Sequence, residues 1–477
     1  MKTTATWMSA LAVLAAIPAL VAIGPAGSAQ TVAEPLNVLL VTTDDQWAGE
    51  LRYMPHTRRL LGGAGARFEG ISPHPLCCPA RAEILTGQYA QNNGVRSNAG
   101  PVGGYAALQD PGNTLATWLD AAGYETSFLG KFLNHSQYDH VPAGWDNWHA
   151  TYQGGYNTSH YKVSWNGQGT VEPDEHQTDY FSMLASTKIT EAHREDQPFF
   201  IWQSFLAPHS EYRNGRWVYP VAAKRHRDEF RDAKPPSLAK PSWNHPVHDK
   251  PLLRGARKLG RRRVTQRWRA HLRSLQTVDE GVLRMVRALR SHGELDNTLI
   301  IFTSDNGFMH GEHRHRGKEL PYEESMEVPF LMRGPGIPAG RVDRRVAATI
   351  DIAPTIVAAT GVSPGRRMDG RVLLPRRAGW NTVLIQGGPV PKANPAGWQY
   401  RGVRTGRYTM FRVWETGEKV LFDRRRDPYQ LNNMWVGRKD RRMYRPVMRE
   451  LRWRMWRLVN CQADECRRRF GAVPRPR

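Results

Sequence analysis

The chain has few cysteines, four among 477 residues. This number excludes the dense disulfide framework of small secreted domains, and a chain of this length can bury a large core of its own. Cys461 and Cys466 are close together near the C-terminus, and their spacing predicts one small disulfide. Cys77 and Cys78 are adjacent, which is too close for normal disulfide geometry, so this pair needs another explanation.

Long hydrophobic runs are missing beyond the N-terminus. No apolar stretch after residue 29 is long enough to span a bilayer, so we expect no membrane span once the signal is cleaved. Residues 1–29 have the pattern of a secretory signal peptide, with Lys2 before a mostly apolar segment and small residues at the cleavage site. An uncleaved anchor is the alternative, which the short apolar segment and Pro18 disfavour. We therefore predict a secreted or cell-envelope-associated protein.

Acidic residues are in short supply relative to basic ones. The chain has 67 Lys and Arg against 44 Asp and Glu, a net charge of +23, and arginine is concentrated in residues 254–273 and 438–477. Such surfaces attract polyanions, including nucleic acid, anionic lipid or polymer, and sulfated polysaccharide. Compositional bias on solvated helix faces explains the charge equally well. Because no nucleic-acid-binding motif accompanies it, we expect no nucleic acid partner.

Continuous apolar runs predict strands that are buried on both faces, as in a parallel sheet. Helical patterns separate these runs, and strands that alternate with helices indicate a doubly wound α/β fold. The predicted strands are 37–43, 198–205 and 298–304, and the predicted helices are 114–120, 262–292 and 352–360.

A smaller unit is predicted after the α/β part. Residues 220–260 are rich in Pro, Lys and Arg without periodicity, which indicates a long surface excursion. Beyond residue 364 we expect strands at 380–386, 402–413 and 419–423, and a helix at about 448–459. The predicted division is a signal peptide (1–29), a catalytic domain (30–364) and a C-terminal subdomain with a basic tail (365–477).

Polar side chains follow the predicted strands. Asp44 and Asp45 follow the first strand, His209 comes soon after the second, and Asp305 and Asn306 follow the third. Ligand sites in doubly wound sheets lie beyond the carboxyl ends of the strands. Carboxylate and amide oxygens suit a hard cation, Ca²⁺ or Mg²⁺, although each pair taken singly is explained by an ordinary turn or helix cap.

Cys77 opens a motif that reads Cys-Cys-Pro-Ala-Arg-Ala-Glu-Ile-Leu-Thr-Gly. Pro79 suits the first turn of a helix, which places Cys77 at or just before the helix N-terminus. Backbone N–H groups and the helix dipole favour an anion there, and the planar guanidinium of Arg81 suits sulfate or phosphate. A buried structural cysteine is the simpler alternative.

Taken in order, these motifs resemble those of the type I sulfatases from residue 37 to about residue 433. In that family the motif cysteine is oxidised to formylglycine by a formylglycine-generating enzyme, and the hydrated aldehyde is the nucleophile. The resemblance implies an alkaline-phosphatase-like sandwich with a large, mostly parallel sheet and a smaller C-terminal α+β subdomain. It also implies one divalent cation, Ca²⁺ before Mg²⁺, with these ligands: Asp44, Asp45, Cys77, Asp305 and Asn306.

The resemblance further implies roles for side chains around residue 77. Lys131, Lys318 and Arg81 would offset charge on the transferring sulfuryl group. His209, with Lys318, would protonate the departing oxygen. Many family members carry a histidine two residues after the lysine that corresponds to Lys131, and this histidine is the base that ejects sulfate. Leu133 stands there, so this base is left unassigned.

The double cysteine and the segment Gly-Lys-Phe-Leu-Asn at 130–134 resemble the N-acetylglucosamine-6-sulfatases and the heparan endosulfatases. This resemblance implies a hydrolase of sulfate monoesters on a sugar, such as the 6-O-sulfate of glucosamine. One alternative is a phosphodiesterase or phosphonate hydrolase of the same superfamily. Another is a catalytically inactive protein that binds polyanions.

Overall fold

The centre of the fold is a mixed sheet of eleven strands in which five neighbouring strands are all parallel. The computed structural model describes residues 1, 34–137, 139–152, 155–374, 379–389 and 397–477. Residues 35–477 form one compact unit, and residues 1–34 are a separate one. The predicted signal peptide lies, except for Met1, outside the described residues. No helix in the described part of the chain has both the length and the apolarity to cross a bilayer.

Nineteen strands and nine α-helices are found in the described residues. The strands are β1 Asn37–Thr43, β2 Ala66–Ile71, β3 Glu125–Gly130, β4 Asn147–Tyr152, β5 Lys162–Ser164, β6 Thr170–Val171, β7 Phe199–Ser204, β8 Glu211–Arg213, β9 Arg216–Val218, β10 Thr298–Ser304, β11 Met309–His310, β12 Arg316–Gly317, β13 Glu327–Val328, β14 Phe330–Arg333, β15 Arg341–Ala348, β16 Val383–Gly387, β17 Tyr400–Arg404, β18 Tyr408–Val413 and β19 Lys419–Asp423. The helices are α1 Pro55–Thr57, α2 Cys77–Thr86, α3 Ala90–Asn93, α4 Leu115–Asp120, α5 Gln177–Arg194, α6 Arg261–Ser291, α7 Glu323–Met326, α8 Ile352–Thr360 and α9 Arg438–Leu458.

The buried strand β1 shows why the apolar runs lack alternation. Val38 and Leu40 belong to a core cluster on one face of the sheet, together with residues of α2 and α8. Leu39 and Val41 belong to a second cluster on the other face, with residues of α5 and α6. Because helices cover both faces, every position of the strand has to be apolar. The three predicted central strands and the doubly wound arrangement are confirmed.

The strand order places the ends of β1, β7 and β10 side by side. Strand β1 pairs in parallel with β10 on one side and with β7 on the other. Thr43, the last residue of β1, is in register with Ser304, the last residue of β10. The loops that carry the predicted polar residues therefore leave the sheet at the same edge.

The C-terminal part is a four-stranded antiparallel sheet, β16 to β19, with α9 packed against β17 and β18. The single strand predicted at 402–413 is wrong, because the chain turns at Thr405–Arg407 and makes a hairpin of β17 and β18. The predicted helix begins ten residues too late, since α9 starts at Arg438 and its arginine-rich first turns hide the apolar pattern.

Three further predictions concern the cysteines, the segment 220–260 and the domain division. Cys461 and Cys466 form the predicted disulfide, with their Cα atoms 5.1 Å apart, and Cys77 and Cys78 are free and buried.

The segment 220–260 has only short 3-10 turns besides irregular chain, but it is not wholly superficial. Lys250 within it is buried, and its ammonium donates a 2.6 Å hydrogen bond to the backbone oxygen of Leu431. The domain division at residue 364 stays a prediction.

Candidate active site

Four oxygen-bearing side chains meet at the carboxyl ends of β1 and β10. Asp44, Asp45, Asp305 and Asn306 are all buried. The backbone N–H of Asp305 donates to the Thr43 oxygen at 3.1 Å, and Asn306 Nδ2 donates to Asp45 Oδ1 at 2.6 Å. Asp45 adopts a left-handed backbone, with φ of 72°, a strain that proteins tolerate mainly at functional positions. The two predicted pairs therefore form one cluster.

Cys77 is the first residue of α2, as predicted, and it points into this cluster. Its sulfur lies 3.5 Å from Asp44 Oδ1 and accepts a 2.8 Å hydrogen bond from Lys318 Nζ. Burial, reinforced by Asp44 and Asp305, outweighs the nearby lysines and raises the pKa of the Cys77 thiol to about 12. An unmodified thiol here is therefore protonated and unreactive at neutral pH.

Arg81 lies one turn along α2 and is fully buried. Its Nε donates to Asp305 Oδ2 at 3.0 Å, and its Nη2 donates to Asp44 Oδ2 at 3.3 Å. It also donates to the Ser204 hydroxyl and to the backbone oxygen of Lys131. Since the guanidinium bridges both strand-end loops, it holds the carboxylates together.

Two lysines supply positive charge next to the carboxylates. Lys131 follows β3 and forms an ion pair with Asp44 Oδ2. Gly130 before it has φ of 112°, and a Cβ there would lie 2.0 Å from the backbone oxygen of Ser204, so glycine is required. Lys318 Nζ lies 2.5 Å from Asp45 Oδ1 and 3.5 Å from Asp44 Oδ1. Despite burial, these carboxylates raise the pKa of both lysines, which stay charged.

His209 faces the same cluster from the loop after β7. Its Nδ1 lies 2.6 Å from the backbone oxygen of Ser210, which can only accept, so Nδ1 carries a proton. Its Nε2 lies 3.7 Å from Asp45 Oδ2. Burial outweighs Asp44 and Asp45 and lowers the pKa of His209 to about 4. The atom directed at the site is therefore Nε2, with a free lone pair when the ring is neutral.

The donor set fits a hard cation. Asp305 Oδ1 accepts a 3.4 Å hydrogen bond from the Asp45 N–H, and Asn306 Oδ1 is buried without a hydrogen-bond partner among the described residues. Ligand atoms of Asp44, Asp45, Cys77 and His209 all lie within 4.8 Å of one another. An orphaned amide oxygen beside clustered carboxylates is what an oxygen-coordinated divalent cation would satisfy. The structure thus brings together every residue that the sequence placed at the site.

Three contributors were not predicted. The Ser204 hydroxyl bonds Arg81 and also donates to the Lys131 oxygen at 2.6 Å, and its position at the end of β7 could have identified it. The Tyr156 ring lies 4.8 Å from Lys131 Nζ and 5.0 Å from the His209 ring, but it comes from an irregular loop that carries no sequence signal. The Cys78 sulfur accepts a 3.1 Å hydrogen bond from the Asn134 N–H. Cys78 therefore fixes the loop that carries Lys131.

A cavity of about 440 Å³ opens beside Lys131. Tyr152 and Tyr156 line it together with the segment 131–137. Leu133 is also among the lining residues, yet its side chain is 2% exposed and belongs to the hydrophobic core. The position of the expected histidine is therefore a packing position in this chain.

Two family models match the chain. The model described as Sulfatase matches residues 36–362, and the model described as N-sulphoglucosamine sulphohydrolase, C-terminal, matches residues 311–460. The first match covers more than half of the chain and includes all the residues of the cluster. The second includes Lys318 and the C-terminal sheet.

Curated relatives are sulfatases by name. The chain is 35% identical over 389 residues to an extracellular sulfatase Sulf-1 homologue of Caenorhabditis elegans, a match that covers 75% of this chain and 53% of that protein. It is 32% identical over 364 residues to the N-acetylglucosamine-6-sulfatase of Homo sapiens, a match that covers 71% of this chain and 64% of that protein. It is 30% identical over 499 residues to an arylsulfatase of Volvox carteri, a match that covers 90% of this chain and 75% of that protein. The chain thus spans about half the length of the Caenorhabditis relative.

Solved structures share the fold. One is a protein in complex with its substrate D-glucosamine-2-N,6-O-disulfate, with a TM-score of 0.72, 22% identity, and coverage of 88% of this chain and 97% of that one. Another is the phosphonate monoester hydrolase of Agrobacterium radiobacter, with a TM-score of 0.68, 21% identity, and coverage of 88% and 96%. These likenesses confirm the predicted alkaline-phosphatase-like architecture. Together with the family model and the relatives, they establish that this chain belongs to the sulfatase family.

Proposed function

We propose that this protein hydrolyses sulfate monoesters on sugars, with formylglycine at position 77 as the nucleophile and Ca²⁺ as the bound cation. The observation that carries the proposal is the position of Cys77. It opens a helix, and its sulfur lies within 3.5 Å of both a strand-end carboxylate and a lysine ammonium. The family supplies the rest, since its members use formylglycine and a metal ion.

The groups bound at the site supply the reactive chemistry. When present, hydrated formylglycine would supply a hydroxyl as nucleophile and a second hydroxyl for the release of sulfate, and the cation would make the nucleophilic oxygen more reactive. The residues proposed to hold the cation are the following: Asp44, Asp45, Asp305, Asn306 and residue 77 itself. All are oxygen donors once residue 77 is modified, which favours Ca²⁺ or Mg²⁺ over zinc.

The remaining side chains bind sulfate and move a proton. Lys131 and Lys318 stay charged next to residue 77, so they can offset negative charge on the sulfate oxygens. Arg81 keeps the carboxylates in place through its contacts to Asp44 and Asp305. The charged Lys318 would supply the proton for the sugar oxygen as its bond to sulfur breaks, and His209 Nε2, whose lone pair faces the site, would relay it. The net reaction consumes one water and yields an alcohol and sulfate.

A glucosamine unit with a 6-O-sulfate is the substrate class that we propose. The cavity of about 440 Å³ beside Lys131 has the size and the aromatic lining typical of a small-ligand site. Relatives named N-acetylglucosamine-6-sulfatase, and a structural neighbour solved with a glucosamine disulfate, support the same sugar. The rival class consists of phosphate diesters and phosphonates, because a phosphonate monoester hydrolase shares the fold.

Export of the protein is part of the proposal. The N-terminal segment has the pattern of a secretory signal, and two of the relatives are named extracellular sulfatases. A formylglycine-generating enzyme is the partner that the modification of Cys77 requires.

The first prediction tests the nucleophile. Mass spectrometry of the peptide that contains residue 77, taken from protein made in its native host, should find formylglycine in place of cysteine. The Cys77→Ala protein should lose turnover of 4-nitrophenyl sulfate by about a thousandfold or more, because the attacking group is gone. Full activity in protein that carries only unmodified cysteine would refute the proposal. A sulfate rate no better than the rates on phosphate mono- and diesters would instead favour the rival class.

A further inference from the structure

A second group of metal-binding side chains lies outside the proposed active site. It consists of Glu50, His271 and His310, whose ligand atoms all lie within 4.8 Å of one another. Glu50 comes from the 3-10 helix that follows the Asp44–Asp45 loop, His271 from α6 and His310 from β11. All three side chains are buried, with at most 3% of any one exposed. None of them takes part in the chemistry proposed above.

The contacts within this group are close, but their geometry is too poor for well-formed hydrogen bonds. Glu50 Oε1 lies 3.2 Å from His271 Nδ1 and 3.3 Å from His310 Nε2. Yet none of these atoms has a hydrogen-bond partner in the described part of the chain. Buried polar atoms are usually paired, but Glu50 Oε1 and both nitrogens of each histidine lack a well-formed hydrogen bond, and an ion between the three side chains would satisfy three of these five atoms. The other oxygen of Glu50 is satisfied by the Trp47 N–H at 2.9 Å.

These spacings match the edges of a metal coordination sphere. A tetrahedral ion that binds nitrogen and oxygen at about 2.0–2.2 Å holds its ligand atoms about 3.3–3.5 Å apart. The two Glu50–histidine separations agree with this value to within about 0.2 Å. Two imidazoles and one carboxylate also form a ligand set typical of Zn²⁺ and unlike the oxygen-only set of the active site.

Burial shapes the charge state of all three side chains, and it raises the pKa of Glu50 although His310 opposes this shift. Burial, together with Arg267, lowers the pKa of His271 to about 3. Burial likewise lowers the pKa of His310, to about 4, although Glu50 opposes the shift. Both rings are therefore neutral at neutral pH and present lone pairs. Arg267 opposes any added cation, while the carboxylates of Glu50 and, farther away, Asp45 favour one.

We propose that Glu50, His271 and His310 bind a Zn²⁺ ion through Glu50 Oε1 and one nitrogen of each imidazole. The ion would tie α6 and the β11–β12 hairpin to the segment that leaves the Asp44–Asp45 loop. It would thereby brace the active-site loop from behind without touching substrate. The proposal does not rest on the sulfatase activity, because a metal content can be measured in inactive protein.

The test uses the full chain, saturated with Ca²⁺ so that the oxygen-rich site is filled, and equilibrated with one equivalent of Zn²⁺. Elemental analysis after gel filtration should find one zinc per chain. Co²⁺ in its place should give the visible absorption of a tetrahedral ion. His271→Gln and the nearly isosteric Glu50→Gln should each lower the affinity for Zn²⁺ at least about tenfold. His149→Gln, which alters a buried histidine outside both groups, should leave zinc binding unchanged.

The outcomes separate the alternatives. Zinc that persists in His271→Gln and disappears in Cys77→Ala would belong to the active site and would overturn the proposal. Wild-type protein that retains neither Zn²⁺ nor Co²⁺ would show a proton-sharing cluster of Glu50 and two histidines, which also overturns it. If His271→Gln fails to fold, the zinc affinity of the Glu50→Gln protein and the Co²⁺ spectrum of the wild type still decide whether this group binds a metal.

Discussion

Cys77 and His209 illustrate how single residues in this site depart from their ordinary chemistry. Burial raises the pKa of the thiol to about 12 and lowers the pKa of the imidazole to about 4. The thiol is thus held in its unreactive form, which agrees with a role for residue 77 only after modification. The imidazole is held neutral, so it can pass on a proton only after it has taken one up, and the charged Lys318 of the same cluster can supply that proton.

The role of His209 predicts a dependence on the leaving group. In His209→Gln, turnover of a sugar 6-O-sulfate should fall by about 10²–10⁴-fold, because an alkoxide leaves poorly without a proton. Turnover of 4-nitrophenyl sulfate should fall far less, since nitrophenolate leaves unprotonated. Steady-state kinetics of one variant on the two substrates measure the difference, and each substrate is the control for the other. Equal losses on both substrates would assign His209 to positioning instead.

At the scale of secondary-structure elements, the ends of parallel strands were the predictable part. Asp44 and Asp305 could be placed together from sequence because β1 and β10 are continuous apolar runs whose carboxyl ends meet at one edge. The C-terminal hairpin could not be divided correctly, since residues 400–413 are nearly all buried and the turn at Gly406 interrupts the pattern only briefly. The Glu50 group was missed because three distant segments contribute one residue each.

The contact between the two sheets depends on a buried arginine of β17. Arg404 makes hydrogen bonds of 2.7–3.1 Å to Glu323 of α7, and its Nη2 lies 2.7 Å from Glu69 of β2. Arg424 adds a 2.8 Å contact to Glu323. Burial raises the pKa of Glu323, but Arg404 and Arg424 outweigh it and lower that pKa to about 2.

Removing this arginine should destabilise the fold. Arg404→Met leaves the Glu323 carboxylate buried with one partner fewer, and the free energy of unfolding should fall by about 3–5 kcal/mol in urea titrations at pH 7. Arg287→Met, on the exposed face of α6, should change it by less than about 0.5 kcal/mol. Equal effects of the two substitutions would contradict the importance of this contact.

The ion pair of Glu323 with Arg404 and Arg424 also makes the free energy of unfolding depend on pH. The folded-state pKa of Glu323 lies below its ordinary value of 4.5, so the ionised form stabilises the fold above pH 4.5. That contribution should be lost progressively as the pH falls from 4.5 towards 2. The Arg404→Met protein should lose less stability over this interval than the wild type does, because less of the contact remains to be broken.

The whole molecule carries a net charge of +23, and part of this charge is gathered on one helix. A groove of about 820 Å³ runs along α9, and no acidic residue is among those that line it. Its arginines are Arg438, Arg441, Arg442, Arg445, Arg449, Arg452 and Arg477. A positive groove without counter-charges attracts polyanions at low ionic strength and loses this attraction in salt.

A long sulfated chain should therefore bind more tightly than a single sugar. Replacing Arg441, Arg445 and Arg449 by alanine should raise the KM for a sulfated polysaccharide by about tenfold at low salt, as expected for three exposed contacts of about 0.5 kcal/mol each. The KM for 4-nitrophenyl sulfate should not change. Alanine at three exposed arginines of α6, Arg284, Arg287 and Arg290, is the matched control. An equal rise in both triple variants would indicate an effect of total charge alone.

The burial of Cys77 also has a consequence for the order of folding and modification. Only 1% of this residue is exposed once α2 has packed, so a modifying enzyme cannot reach it in the folded molecule. The proposed modification would therefore have to take place while the chain is still nascent or unfolded. A chain that folds before it is modified would therefore keep the thiol of Cys77. Overexpression that outruns the modifying enzyme should yield a mixture of well-folded molecules, some competent and some inert, which no refolding in vitro would rescue.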